Sequence, residues 1–220
     1  MNTKKKLVIF DLDGTLVNTI VDLANSGNYS LQQMGMPTHA VDRYYEFVGN
    51  GIEKLLERAM PAADRTPEKR QLIKKIFIEH YSAHCVDYSS PYPHIHTLLK
   101  QLTCAGYKVA VASNKYQVGV ELIIKKLLHD IPWSSVLGSR AGVNKKPDPQ
   151  IVFDSMANAG ISNLDDVLYI GDSDVDMQTA KAAAVDACGV TWGFCAREEI
   201  AVFNPKYLVN TPNEIGEIVL

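Results

Sequence analysis

The sequence predicts an α/β protein: a Rossmann-like, doubly wound parallel sheet interrupted early by an inserted helical cap. Three observations predict it. The runs Leu7–Phe10, Val109–Ala112 and Val167–Ile170 are apolar without alternation, the pattern of strands buried on both faces. After Pro93, helix-patterned and strand-patterned stretches alternate, as they do when helices cover both faces of a parallel sheet. Between residues 18 and 89 the spacing is helical and no strand stands out, which marks an insertion. The expected division is therefore a core of residues 1–17 and 90–220 and a cap of residues 18–89.

Taken in order, Leu7–Phe10 is the first strand, and it stops at the turn Asp11-Leu12-Asp13-Gly14-Thr15. In the insertion, Ile20, Leu23, Ala24, Leu31 and Met34 fall near helical spacing, and Ile52, Leu55, Leu56 and Ala59 suggest a short helix. Thr66-Pro67 can start another, with Thr as cap and Pro in the first turn, followed by Leu72, Ile73, Ile76, Phe77 and Tyr81. A helix from Ile95 to Ala105 ends at Gly106, and Val109–Ala112 is a strand. A helix over about 118–128 and a weaker strand at 135–137 follow. Ile151–Ala159 is a helix stopped by Gly160, and Val167–Ile170 is a strand ending at Gly171-Asp172. Met177–Ala184 is helical, and a strand near 187–191 comes next.

The chain of 220 residues suits one core with a modest insertion, and its formal net charge of -3 argues against a nucleic-acid or anionic-membrane partner. The basic run Lys4–Lys6 precedes only four apolar residues, too few for a signal core or a membrane span, so a cytoplasmic protein is expected. The 4 cysteines are scattered and form no CxxC pair; reduced thiols are the simple reading.

Ligands of open α/β sheets bind beyond the carboxyl ends of the strands. The chemically loaded residues stand there: Asp11 and Asp13 after the first strand, Ser113 and Asn114 after Val109–Ala112, Asp172 and Asp176 after Val167–Ile170. Lys145-Lys146 sits before Pro147 in an intervening loop. Carboxylates converging on one spot repel one another and call for a hard cation such as Mg2+. A lysine and a hydroxyl beside that cation complete a site for a phosphate dianion. A lone Asp at a strand end is usually a cap or turn former; the ordered set is what points to phosphoryl transfer.

The blocks DLDGTL, VASNK, KKPDP and GDSDVD, in this order, resemble the four motifs of the haloacid dehalogenase superfamily, and the insertion resembles that family's first-type cap. VGNGIEKLLERA (Val48–Ala59) and VTWGF (Val190–Phe194) resemble its phosphoglycolate phosphatase branch. The resemblance implies Asp11 as the nucleophile, forming an aspartyl phosphate, and Asp13 as the acid and then the base. It implies Gly14, Thr15, Ser113, Asn114 and Lys146 around the phosphate. Mg2+ would be held by Asp11, the main-chain carbonyl of Asp13 and Asp172, with Asp176 behind, orienting the metal site or Lys146. It also implies a cis Lys146–Pro147 bond. Because both linkers of the insertion leave and re-enter the core near the strand ends, residues 18–89 are expected to form a mobile lid with hinges near Val17-Asn18 and Asp87–Pro91, where the helical pattern lapses. The expected partner is a small phosphorylated metabolite, 2-phosphoglycolate first, with the chain a monomer or homodimer.

The alternatives sharing these motifs are a β-phosphoglucomutase-like phosphomutase, a sugar-phosphate phosphatase and a pyrophosphatase. A dehalogenase attacks carbon without metal, and the presence of both Asp13 and Asp172 argues against it. A receiver domain carries its acceptor on a later strand and lacks the insertion. Asn18 stands where relatives often have Asp, and Ala184-Val185-Asp186 ends a helix without the usual glycine. His80 and His84 have i, i+4 spacing but read better as a packed helix face than as metal ligands. His94 and His96 read as turn or hinge residues, Trp133 and Trp192 as packing residues, and Lys145 as a solvated neighbour. Arg43, Lys54 and Arg58 read as solvated charge, with the sharper option that one reaches a substrate carboxylate.

Overall fold

The computed structural model describes residues 5–220, so Lys4 of the basic run lies outside the described residues. Six parallel strands form the main sheet in the order β5-β4-β1-β6-β7-β8. They are β1 (Leu7–Phe10), β4 (Lys108–Tyr116), β5 (Ser135–Ser139), β6 (Val167–Gly171), β7 (Asp186–Val190) and β8 (Tyr207–Val209). The chain winds outward from β1 through β4 to β5, then returns to β6 on the other side of β1. The carboxyl end of β1 is thus the topological switch point, where open sheets bind ligands.

Alternation within β1 explains why its apolar run is unbroken. Leu7 and Ile9 face a layer with α6 (Gln150–Ala159) and α7 (Asp174–Ala182), and Val8 and Phe10 face the layer with α4 (Ile95–Cys104), α5 (Gln117–Leu127) and α9 (Pro212–Val219). All four side chains are fully buried. Gly106 and Gly160 adopt positive φ (86° and 65°) just past α4 and at the end of α6, as helix-stopping glycines do.

The insertion comprises α1 (Ile20–Gln33), α2 (Ile52–Ala59) and α3 (Pro67–His84), which pack on one another. Thr66 caps α3 by accepting from Lys69 N. Only Ile73, Phe77 and Tyr81 of α3 are buried, whereas Leu72 is exposed. The two linkers, where the hinges are expected, pair as short antiparallel strands: β2 (Val17–Asn18) against β3 (Ser90–Pro91).

Other differences are local. β4 runs to Tyr116, with a register shift after Ala112, so Ser113 and Asn114 lie in its irregular end rather than beyond it. α7 begins at Asp174, three residues before the expected Met177, because Ser173 and Asp176 form a reciprocal capping box. α8 (Arg197–Ala201), β8 and α9 were not foreseen; they are short and add the sheet's last strand beyond β7. Lys146–Pro147 is cis. No described helix is long and apolar enough to cross a membrane.

Candidate active site

Two neighbouring strand ends bring the acids together. Asp11 follows β1 and its N–H extends the sheet by donating to Ile170 O (2.9 Å), while Asp172 follows β6 and Asp176 lies in the first turn of α7. Carboxylate oxygens of Asp11, Asp172 and Asp176 lie within 4.8 Å of one another, and all three residues are buried. The Asp13 carboxylate stands outside this group. It accepts from Thr19 Oγ1 (2.7 Å) and from Lys115 Nζ (3.0 and 3.1 Å).

Lys146 ties the cluster together. Its Nζ donates to Asp11 Oδ1 (2.9 Å), Asp176 Oδ1 (2.7 Å) and Ala112 O (3.0 Å), and lies 3.1 Å from Tyr169 OH. Burial alone lowers the pKa of an ammonium, yet the carboxylates of Asp11 and Asp176 outweigh it and hold Lys146 well above the ordinary lysine value. Asp176 Oδ2 accepts from Ser173 N and Oγ, so both its oxygens are committed within the protein. Burial, only partly offset by Lys146 and reinforced by Asp176 and Asp13, raises the Asp11 carboxyl from 3.8 to about 7. Burial, then Asp176 and Asp11, push Asp172 well above the carboxylate range. One lysine does not neutralise three buried carboxylates, and a compact all-oxygen donor set fits a hard divalent cation.

Three residues expected around the phosphate also make contacts within the protein. Gly14 N–H donates to Val17 O (2.9 Å) and is not free for an anion. Its glycine makes room for Asp172: a Cβ there would meet Asp172 Oδ2 at 2.2 Å, at a φ of +94°. Thr15 is fully buried and its hydroxyl donates to Asp172 Oδ1 (2.7 Å), so it positions that acid. The Asn114 side chain is spent on Lys146, accepting from its N–H (2.8 Å) and donating to its carbonyl (3.1 Å). Ser113, Asn114 and Lys146 do line the cavity above the cluster, which measures about 100 Å³.

The cap forms the cavity's roof, with Leu23, Tyr45, residues 48–52, Leu55 and Phe77 facing Asp11, Asp13 and Asp172. Arg43, Lys54 and Arg58 do not line it: Arg43 pairs with Glu46, Lys54 with Glu57, and Arg58 donates to Phe47 O, Val48 O and Asn50 Oδ1. Lys145 is more than solvated charge, because it pairs with Glu53 of the cap and, with Lys74, holds that carboxyl down to about 2. His80 stacks between Tyr29 and His84 and bonds Ser26, while His84 pairs with Asp87. His94 adopts positive φ at the start of α4, and His96 pairs with Asp130. All four cysteines are free.

Sequence reasoning missed several contributors. Lys115 lies inside the VASNK block, two residues after Ser113, and that adjacency was the available signal. Phe194 N–H donates to Asp172 Oδ2 (2.7 Å), and a Cβ on Gly193 would meet Asp172 Cβ at 2.3 Å. Trp192, expected only to pack, also donates its Nε1–H to Thr15 O (3.0 Å). Tyr169 reads as a core strand residue, and only its hydroxyl reveals the second role.

Comparison with known proteins agrees with this geometry. The family described as haloacid dehalogenase-like hydrolase matches residues 8–190. A phosphoglycolate phosphatase from Colwellia psychrerythraea is 32% identical over 219 residues, covering 96% of each chain. One from Vibrio cholerae is 31% identical over 222 residues, covering 98% of this chain and 97% of its own. The crystal structure of a predicted phosphoglycolate phosphatase from Haemophilus somnus superposes with a TM-score of 0.91 at 29% identity, covering 99% of both chains.

Proposed function

The chain belongs to the haloacid dehalogenase-like hydrolase family, and from that premise we propose that it is a Mg2+-dependent phosphatase acting on a small phosphorylated metabolite, 2-phosphoglycolate first, through an aspartyl phosphate on Asp11. The observation that carries this reading is the buried cluster of Asp11, Asp172 and Asp176, with Lys146 joining Asp11 to Asp176 and with Asp11, Asp172 and Lys146 lining a roofed cavity. The substrate is supported by relatives named phosphoglycolate phosphatase that align over nearly the whole chain.

Asp11, the main-chain carbonyl of Asp13 and Asp172 would hold Mg2+, which supplies positive charge opposite the phosphoryl oxygens. Asp176, its oxygens already committed, holds Lys146 in place. Asp11 attacks phosphorus with one carboxylate oxygen while Lys146 fixes the other. The bond from phosphorus to the ester oxygen breaks, and Asp13 gives that oxygen a proton. Asp13 then takes a proton from water as it attacks the acyl phosphate, and inorganic phosphate leaves Asp11 as a free carboxylate. Ser113 offers its hydroxyl to a phosphoryl oxygen. The cap excludes bulk water and strengthens each of these charge interactions.

Phosphate release across a panel of 2-phosphoglycolate, small sugar phosphates and pyrophosphate tests the proposal. The expected result is the highest kcat/KM with 2-phosphoglycolate, needing Mg2+ but no bisphosphate activator, and a loss of at least ~1000-fold in Asp11→Asn. Full activity in excess chelator, or substantial turnover by Asp11→Asn, would overturn it. A strict need for a sugar bisphosphate would favour the mutase.

A further inference from the structure

We propose that Lys115 is the specificity residue of this cavity, receiving the carboxylate of a phosphomonoester that carries one on the carbon next to the ester oxygen. The inference rests on the phosphatase reading for where the ester lies, and adds the residue and the substrate class.

Lys115 is a buried lysine, only 7% exposed, that nonetheless lines the cavity. Its Nζ lies 3.0 and 3.1 Å from the Asp13 carboxylate oxygens, donates to Tyr81 OH at 2.9 Å and stands 4.5 Å from the Tyr81 ring centroid. Tyr81 belongs to α3, so the cap braces the ammonium from above. An acid serving the leaving oxygen must come within hydrogen-bond reach of it, about 2.6–3.2 Å. A cation already touching that acid is then beside the substituent on the adjoining carbon. In 2-phosphoglycolate this substituent is the carboxylate.

The other cations near the cavity are committed. Lys146 and Lys115 are the cationic side chains among the described lining residues, and Lys146 already serves Asp11, Asp176 and Ala112 O. Lys145 is held by Glu53. The roof also carries the polar Tyr45 and Asn50, but Leu23, Val48, Ile52, Leu55 and Phe77 are apolar, so sugar hydroxyls placed against these five would lose water without gaining partners. A substrate carboxylate replaces Asp13 as the partner of Lys115, exchanging one ion pair for another. Asp13 keeps the Thr19 hydroxyl and turns to the leaving oxygen.

The test compares 2-phosphoglycolate with ethyl phosphate, which has a methyl group in place of the carboxylate, in the full-length protein with Mg2+. In Lys115→Met the ratio of the two kcat/KM values falls about 100-fold, mainly through KM for 2-phosphoglycolate, and Lys115→Arg restores part of it. Calorimetric titration of the protein with 3-phosphonopropanoate and with propylphosphonate reads binding without turnover. Wild-type protein prefers the carboxylate analogue, and Lys115→Met loses that preference. A ratio within about threefold of wild type in folded Lys115→Met, or wild-type protein that does not distinguish the two phosphonates, overturns the inference. If no ester is hydrolysed the phosphatase reading fails, and the phosphonate comparison still decides Lys115.

Discussion

Ala184 carries a cost that its neighbours impose. It follows α7 at φ +55°, with its N–H bonded to Lys181 O and that of Val185 to Ala180 O, the paired bonds of a helix ended by a left-handed residue. Glycine fills that position without a Cβ clash, and Ala184 is exposed, so nothing is lost by truncation. We predict that Ala184→Gly stabilises the protein by about 1 kcal/mol, read as a higher urea midpoint with an unchanged slope; a lower midpoint would refute the account. Gly193 is the opposite case, because the space it leaves is filled by Asp172. We predict that Gly193→Ala displaces Asp172 and cuts kcat/KM by about 100-fold. Far-ultraviolet circular dichroism should stay native, and near-normal activity would show that Asp172 can shift harmlessly.

At the scale of elements, one buried acid is prominent among the links where the cap meets the core. Asp22 of α1, 1% exposed, accepts from Tyr88 N, Ser89 N and Ser89 Oγ and so anchors the returning linker beside the β2–β3 pair. Removing the acceptor strands these donors. Asp22→Ala should destabilise by about 2–3 kcal/mol and lower kcat/KM, because the roof residues lose their position over Asp11. Denaturant melts within about 0.5 kcal/mol of wild type would mean that water or the strand pair takes over. A second link, Glu53 with Lys145, and a third, Asn114 Nδ2 donating to Gly49 O (3.3 Å), join the cap to the loop carrying Lys146 and to its clamp.

For the whole molecule, the buried acids couple folding to pH and metal. Burial, with repulsion from neighbouring carboxylates, lifts Asp11 from 3.8 to about 7 in the fold, and Asp172 is also raised. The folded state therefore keeps protons that the unfolded chain has released. These groups favour folding of the metal-free protein below about pH 4, and that contribution is lost as pH rises toward about 7. Mg2+ needs the deprotonated carboxylates, so its effect runs the other way. We predict that Mg2+ at 100 times its Kd stabilises the fold by about 2.7 kcal/mol near pH 8 and by much less at pH 5. Calorimetry with Mg2+ and with chelator at both values checks it; equal shifts would detach the cation from these acids.

What could be read directly was local. An apolar run ending in Asp identified β1 with Asp11 and β6 with Asp172, and glycines marked the ends of α4 and α6, because strand burial and helix termination are written within a few residues. Lys146, singled out by its Pro147, also stands where it was expected. The duties of Gly14, Thr15 and Asn114, the pairing of Lys115 with Asp13 and Tyr81, and the Glu53–Lys145 link were decided only by tertiary structure. Each joins residues far apart in the chain, Thr15 with Asp172 and Asp13 with Lys115 among them. Their distances follow from β4 and β6 flanking β1 and from a cap folded back over the strand ends. No periodicity encodes that proximity, since burial patterns specify which face of an element is covered and leave open which residue covers it.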